Sequence, residues 1–284
     1  MGNRVERICS FGFALNLRLN FSTFLEKTLK KLSLQTQLIF ENERTNLLKF
    51  LLFFCLVSVN LWGFDFAVVE SSIAKIDDEF VFVKDEPAVV VGASGVVIKQ
   101  IKNATSIISR ASVVGREGGF LKLKLKEFTM LEQKALPELD VKVEVYDKVL
   151  LNFLYDRALL IAPDEASYKG VAQTLGEIYL MHPDILGAYM VREFKLSPKR
   201  KDFALFCSNN ALGMVGFVLE KSVKFVDCQD FTPLFEQPLN SSVKKPQTPF
   251  YSNITAYRKN VFNFREKRIE NYYDYYKELL AGEK

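Results

Sequence analysis

From Phe120 to Lys126 the chain reads Phe-Leu-Lys-Leu-Lys-Leu-Lys, apolar and charged in strict turn. Side chains of a strand point alternately to its two faces, so Leu121, Leu123 and Leu125 share one face and Lys122, Lys124 and Lys126 the other. A strand with one dry and one wet face belongs to an antiparallel sheet that covers a core on one side only. The neighbouring sequence repeats the theme. Ala67–Ile76 and Glu79–Val83 read as strands around the turn Ile76-Asp77-Asp78-Glu79. Val96–Ile101 and Thr105–Val114 follow around Lys102-Asn103-Ala104, and Gly115-Arg116-Glu117-Gly118-Gly119 marks a hairpin. Val141, Val143 and Val145 predict one more alternating strand. Short strands this closely spaced predict a small antiparallel barrel or sandwich.

The pattern changes at Lys148. Val149–Leu154 fits a buried strand or a helix start, and Ala158–Ile161 is a short apolar run stopped by Ala162-Pro163. Asp164 is placed to cap a helix running through Leu175. Glu177–Met181 reads as a strand and Ile185–Phe194 as a helix or strand. Ser197-Pro198 opens a helix through Asn210, with proline in its first turn. Gly213–Leu219 and Val223–Cys228 are strands joined by Glu220-Lys221-Ser222. Four prolines between Pro233 and Pro249 read as a linker, and Asn253–Leu280 as a helix rich in tyrosine. The expected class is α+β. An antiparallel β-rich barrel or sandwich over 64–147 precedes a small α/β domain over 148–232. A Pro-rich linker over 233–249 and a helical Tyr/Lys-rich tail over 250–284 complete it.

Phe50–Trp62 is thirteen residues without a charge, with Lys49 before it and Gly63 after it. A membrane-crossing helix needs about 20 apolar residues, whereas a secretory signal needs a basic start and about 7–15 apolar residues. The segment 47–63 is therefore expected to be a signal peptide, with an uncleaved anchor as the other reading. The protein is then exported, to the periplasm or the cell surface, and this segment is its one expected contact with a membrane. Residues 1–46 show no domain pattern and read as a misassigned start or a disordered extension. After Met1 the next methionine is Met130, so a later start would fall on a codon such as that of Leu47 or Leu48.

Charge follows the same division. The chain is formally +4, with eight basic and four acidic residues in 1–63, which leaves thirty of each in 64–284. A neutral exported part argues against a nucleic-acid binder, which usually shows a basic face. Two cysteines remain beyond the apolar segment, Cys207 and Cys228. They fit a disulfide in an oxidising compartment, or two separately buried thiols.

Catalytic chemistry is missing. The single histidine, His182, has Asp184 nearby but no nucleophile tied to it by a motif. No Cys/His spacing would hold zinc. Gly92-Ala93-Ser94-Gly95 lacks the GK[ST] ending of a phosphate loop and is a turn. Asp77-Asp78-Glu79 and Asp227/Asp230 lack calcium-loop spacing. The chain is expected to be no enzyme and to use no cofactor or metal.

Four stretches carry a resemblance. They are Val91-Gly92-Ala93-Ser94-Gly95-Val96-Val97, Leu151-Asn152-Phe153-Leu154-Tyr155-Asp156-Arg157-Ala158-Leu159, His182-Pro183-Asp184-Ile185-Leu186-Gly187-Ala188-Tyr189 and Phe225-Val226-Asp227-Cys228-Gln229-Asp230-Phe231. Together they resemble the N-terminal domain of the bacterial plasminogen-binding surface proteins. The resemblance implies an exported, non-enzymatic protein that captures host plasminogen through the lysine sites of its kringle domains. Family members can carry a long lysine-rich C-terminal extension, and this chain has only a short tail. A kringle recognises an ammonium on an aliphatic stem together with a carboxylate, and a C-terminal lysine offers both. Lys284 is the residue expected in that role. The alternative is a periplasmic envelope structural or assembly factor whose Tyr-rich tail helix docks on a partner.

Overall fold

The computed structural model describes residues 67–101, 104–130, 141–239, 243–254 and 267–282. The 1–46 extension, the 47–63 signal, the turn residues Lys102 and Asn103, and Lys284 all lie outside that set.

The alternating segments close into a six-stranded antiparallel barrel of order β1-β2-β5-β4-β3-β6. Its strands are β1 (Val69–Asp77), β2 (Phe80–Lys84), β3 (Ser94–Ile101), β4 (Ala104–Glu117), β5 (Phe120–Lys126) and β6 (Lys148–Leu151). Ile73, Val81, Val83, Val97, Ala111, Val113, Leu121, Leu123, Val149 and Leu151 fill its interior. The outcome between barrel and sandwich rests on β6, which pairs with β1 and β3 at once and so leaves no edge open. Gly95 makes that seam possible. A Cβ there would lie 2.4 Å from the Leu150 carbonyl oxygen and 2.9 Å from the Leu151 Cα.

Two expectations change here. Lys148–Leu151, read as the start of the second domain, is the strand that closes the first. Val141, Val143 and Val145 form no strand, because the chain there makes a turn pinned to β1 by the Tyr146 N–H to the Ile73 carbonyl at 2.9 Å.

The second layer is a five-stranded mixed sheet of order β11-β10-β9-β7-β8. It contains β7 (Arg157–Ile161), β8 (Tyr179–Met181), β9 (Met214–Val218), β10 (Ser222–Asp227) and β11 (Pro233–Pro238). β7 runs parallel to both β8 and β9, and the rest is antiparallel. The helices are α1 (Glu165–Thr174), α2 (Pro183–Arg192), α3 (Arg200–Asn210) and α4 (Tyr272–Ala281). Asp164 caps α1 as its sequence suggests, accepting the Ser167 N–H at 2.8 Å. The ambiguous Ile185–Phe194 segment is helical because His182 caps it and Pro183 fits its first turn. α3 begins later than Ser197-Pro198. Lys199 is its N-cap, and the Asp202 carboxylate accepts the Lys199 N–H at 2.9 Å.

The stretch read as a linker is built into the fold. Pro233–Pro238 is the edge strand β11, where the missing proline N–H costs least. Phe235 stacks on Phe225 of β10 at 4.4 Å. Farther on, Gln247 and Tyr251 donate their N–H groups to Pro163 and Ala162, and Phe250 is fully buried. Among the described residues of the tail, the helix spans only Tyr272–Ala281. Its tyrosines face inward rather than toward a partner. The hydroxyls of Tyr272, Tyr275 and Tyr276 donate to the carbonyls of Ile161, Pro198 and Pro249.

Cys207 on α3 and Cys228 after β10 form a disulfide with Cα atoms 6.2 Å apart. Both lie inside the second core, beside Phe203, Phe217 and Tyr276.

Candidate functional site

Among the described residues, two polar groupings bear most on function. The first is buried where the barrel meets the sheet. Arg110 of β4 reaches Asp227 at 2.7 Å and Asp230 at 2.7 Å. The other Asp227 oxygen accepts from the Ser94 hydroxyl at 2.5 Å and the Tyr155 hydroxyl at 3.0 Å. The N–H groups of Gln229 and Asp230 also close on Asp227. Ser112 and Lys126 complete Asp230 at 2.8 Å each.

Burial works against the Arg110 charge, but the two carboxylates outweigh it and raise its pKa. Burial also pushes Asp230 up, yet Arg110, Lys126 and Ser112 bring its carboxyl below the ordinary value. Burial and the Asp227 charge hold the Tyr155 phenol well above its ordinary value, so it remains a donor. Asp227 is 1% exposed, so no partner reaches it. This constellation joins barrel to sheet. Of the residues behind the family resemblance, Ser94, Tyr155, Asp227 and Asp230 meet here.

The second place is the outer face of the barrel on β1, β2 and β5. Val81, Val83, Leu121 and Leu123 point inward, so Phe80, Phe82 and Lys84 face out, as do Phe120, Lys122 and Lys124. Register sets them in rows. Asp77, Phe80 and Lys124 form one row across the three strands, and Lys75, Phe82 and Lys122 the next. Phe120 and Lys84 face each other in a third. The Lys122 ammonium stands 4.4 Å from the centre of the Phe80 ring and 5.9 Å from that of Phe82, and Lys75 is 5.3 Å from Phe82. Aromatic faces attract such cations and shelter their methylene stems.

Carboxylates stand beside the ammonium groups, with Lys75 to Asp77 at 3.0 Å and Lys124 to Glu79 at 3.5 Å. Between 46% and 75% of each of these four side chains is exposed. Exposed pairs of this kind are worth roughly 1 kcal/mol or less. The lysines are thus held in place but cheaply released to a partner. The alternation at 120–126 announces the lysines. The signal for the whole face was the second alternation, Phe80-Val81-Phe82-Val83, whose phenylalanines point outward only if its valines point inward.

His182 serves as the N-cap of α2. Its Nδ1 accepts the Asp184 N–H at 3.2 Å, and its ring lies 5.9 Å from Tyr168 and 6.4 Å from Tyr251. Asp184 is committed to Ser252 and Asn253. Burial alone would raise its pKa, but these donors lower it. An open groove of about 510 Å³ between α2 and α3 is lined by Ile185, Tyr189 and Phe206 among others, with no acid or histidine. No group of three metal-ligating side chains occurs among the described residues. No helix among them is long and apolar enough to cross a membrane.

A family model described as "Plasminogen-binding protein pgbA N-terminal" matches residues 68–280. Two curated proteins of Helicobacter pylori are similar over 197 residues, both named plasminogen-binding protein PgbA. That of strain J99 is 25% identical and that of strain 26695 is 24% identical. Each alignment takes in 68% of this chain and 43% of the relative, so the match spans less than half the length of those proteins.

Proposed function

This chain belongs to the family of plasminogen-binding PgbA N-terminal domains, and we propose that it is an exported, non-enzymatic protein that captures plasminogen in a lysine-dependent way. The observation that carries the lysine dependence is the outer barrel face. There Lys75 and Lys122 present ammonium groups steadied by Phe82 and Phe80, Lys124 stands in the neighbouring row, and Asp77 and Glu79 lie beside Lys75 and Lys124. A kringle lysine site takes an ammonium and a carboxylate together, and this face offers both charges within one or two strand spacings of about 4.8 Å. Lys284, outside the described residues, is the second lysine candidate. Export is supported by the Phe50–Trp62 segment and by the Cys207–Cys228 disulfide, a bond that persists in oxidising compartments.

The test is plasminogen binding by the full chain on a sensor surface, with and without a soluble lysine analogue. The reading expects the analogue to displace most of the binding. It expects the triple variant Lys75→Gln, Lys122→Gln, Lys124→Gln to bind at least tenfold more weakly, and deletion of Lys284 reports on the other candidate. Binding that ignores the analogue would reject lysine dependence, and a triple variant that binds like the parent would remove the barrel face from the account.

A further inference from the structure

The turn that replaces the expected strand at 141–145 ends in Val145-Tyr146. Tyr146 is 83% exposed, against 53% for the next large apolar side chains among the described residues, Tyr179 and Leu205. Val145 beside it is 40% exposed. Tyr146 also has φ +76°, a left-handed conformation that disfavours any residue with a Cβ. Glycine or asparagine would suit that backbone better, so folding gives no reason for a bulky ring there.

The surroundings hold the backbone of the turn in place. Tyr146 donates its N–H to the Ile73 carbonyl at 2.9 Å, and Ile73 donates to the Asp147 carbonyl at 3.0 Å. The Asp147 carboxylate accepts the Glu144 N–H at 2.7 Å. Lys99 ties down the same turn through the Lys142 carbonyl at 3.1 Å and the Glu144 carboxylate at 2.7 Å.

We propose that Tyr146 is an aromatic anchor of the plasminogen contact, entering an apolar pocket of that protein with a hydrogen-bond acceptor for its hydroxyl; this rests on the reading of the chain as a plasminogen binder. An exposed ring on a backbone already fixed leaves only its own side-chain ordering to be met on binding. Tyrosines of this kind supply a large share of interface energy. The anchor adjoins the lysine face. Ile73, whose carbonyl accepts the Tyr146 N–H, and Lys75 are two residues apart on β1, with a register irregularity between them. A partner seated on Lys75 therefore rests on the strand to which the Tyr146 turn is tied. A lipid surface is the poorer match, because one ring and one valine sit among charges of both signs at Lys142, Glu144, Asp147 and Lys148.

The experiment measures plasminogen binding by the full chain carrying Tyr146→Gly or Tyr146→Phe, with and without the lysine analogue, alongside thermal midpoints. Tyr146→Gly should leave the midpoint unchanged or raise it, yet bind about tenfold more weakly and lose whatever binding survives the analogue. Tyr146→Phe should lose less. If Tyr146→Gly binds like the parent, the anchor is rejected and the lysine reading stands. A lowered midpoint would make the ring structural and equally reject the anchor. So would Tyr146-dependent binding to vesicles of anionic lipid with unchanged plasminogen binding. A parent chain that binds no plasminogen overturns both readings.

Discussion

Asp227→Asn is the substitution whose consequence the structure fixes most closely. It changes almost no volume, so no cavity forms, and what it removes is a charge and acceptor capacity. In the folded protein Asp227 accepts from Arg110, Ser94, Tyr155, Gln229 and the Asp230 N–H. An asparagine has one acceptor oxygen for those five donors and turns two hydrogens toward them. Arg110 remains buried with only Asp230 to balance it. Removing one partner of a buried ion pair costs about 3–5 kcal/mol, largely as the penalty of an uncompensated charge. For a folded part of this size that corresponds to a midpoint lower by roughly 6–20 °C.

The assay is urea or thermal unfolding of the oxidised protein, extended to Arg110→Met and the double variant. Because the two side chains belong to one network, the double variant should cost less than the sum of the singles, by more than about 1 kcal/mol. A single-variant loss below 1 kcal/mol, or additive singles, would show that barrel and sheet are joined by apolar packing alone.

Acid should act on the same junction through Asp230. Its folded pKa lies below the unfolded value of about 3.9. The stability it contributes is therefore complete above that value and is lost as pH falls through the folded one; Asp230→Asn should flatten the acid limb of stability against pH, and an unchanged limb would contradict this. Arg200 closes the end of α4 by donating to the Leu279 and Leu280 carbonyls at 2.7 and 2.6 Å. Arg200→Ala should cost roughly 1.5–3 kcal/mol, seen as faster amide exchange over 272–281; equal protection would show that the tyrosines alone hold the helix. Replacing Cys207 and Cys228 together by alanine opens a loop of separation 21. It should cost about 3 kcal/mol in chain entropy, and equal midpoints for parent and variant under oxidising conditions would refute that value.

How much of this was written in the order of residues depends on the range of the interaction. The alternation at 120–126, the Asp164 cap and the β4–β5 hairpin, marked by Gly115–Gly119 and turning at its last two glycines, are local, set by side-chain period and turn preference. They came out where the sequence placed them. Proline content at 233–249 misled because a count of prolines does not reveal that an edge strand tolerates them once Phe225 offers Phe235 a stacking partner. The tail tyrosines misled likewise. Their acceptors at Ile161, Pro198 and Pro249 lie 27–111 residues away.

The sequence by itself determined the α+β class, the wet lysine face and the pair of cysteines available to each other, since each follows from spacing along the chain. Barrel closure was decided only in three dimensions, because it requires β6 to meet strands from both sides. The same is true of the Arg110 network, which gathers residues up to 133 positions apart. It is also true of the rows that place phenylalanine beside lysine and carboxylate. Cross-strand register creates those neighbours, and register is a property of paired strands.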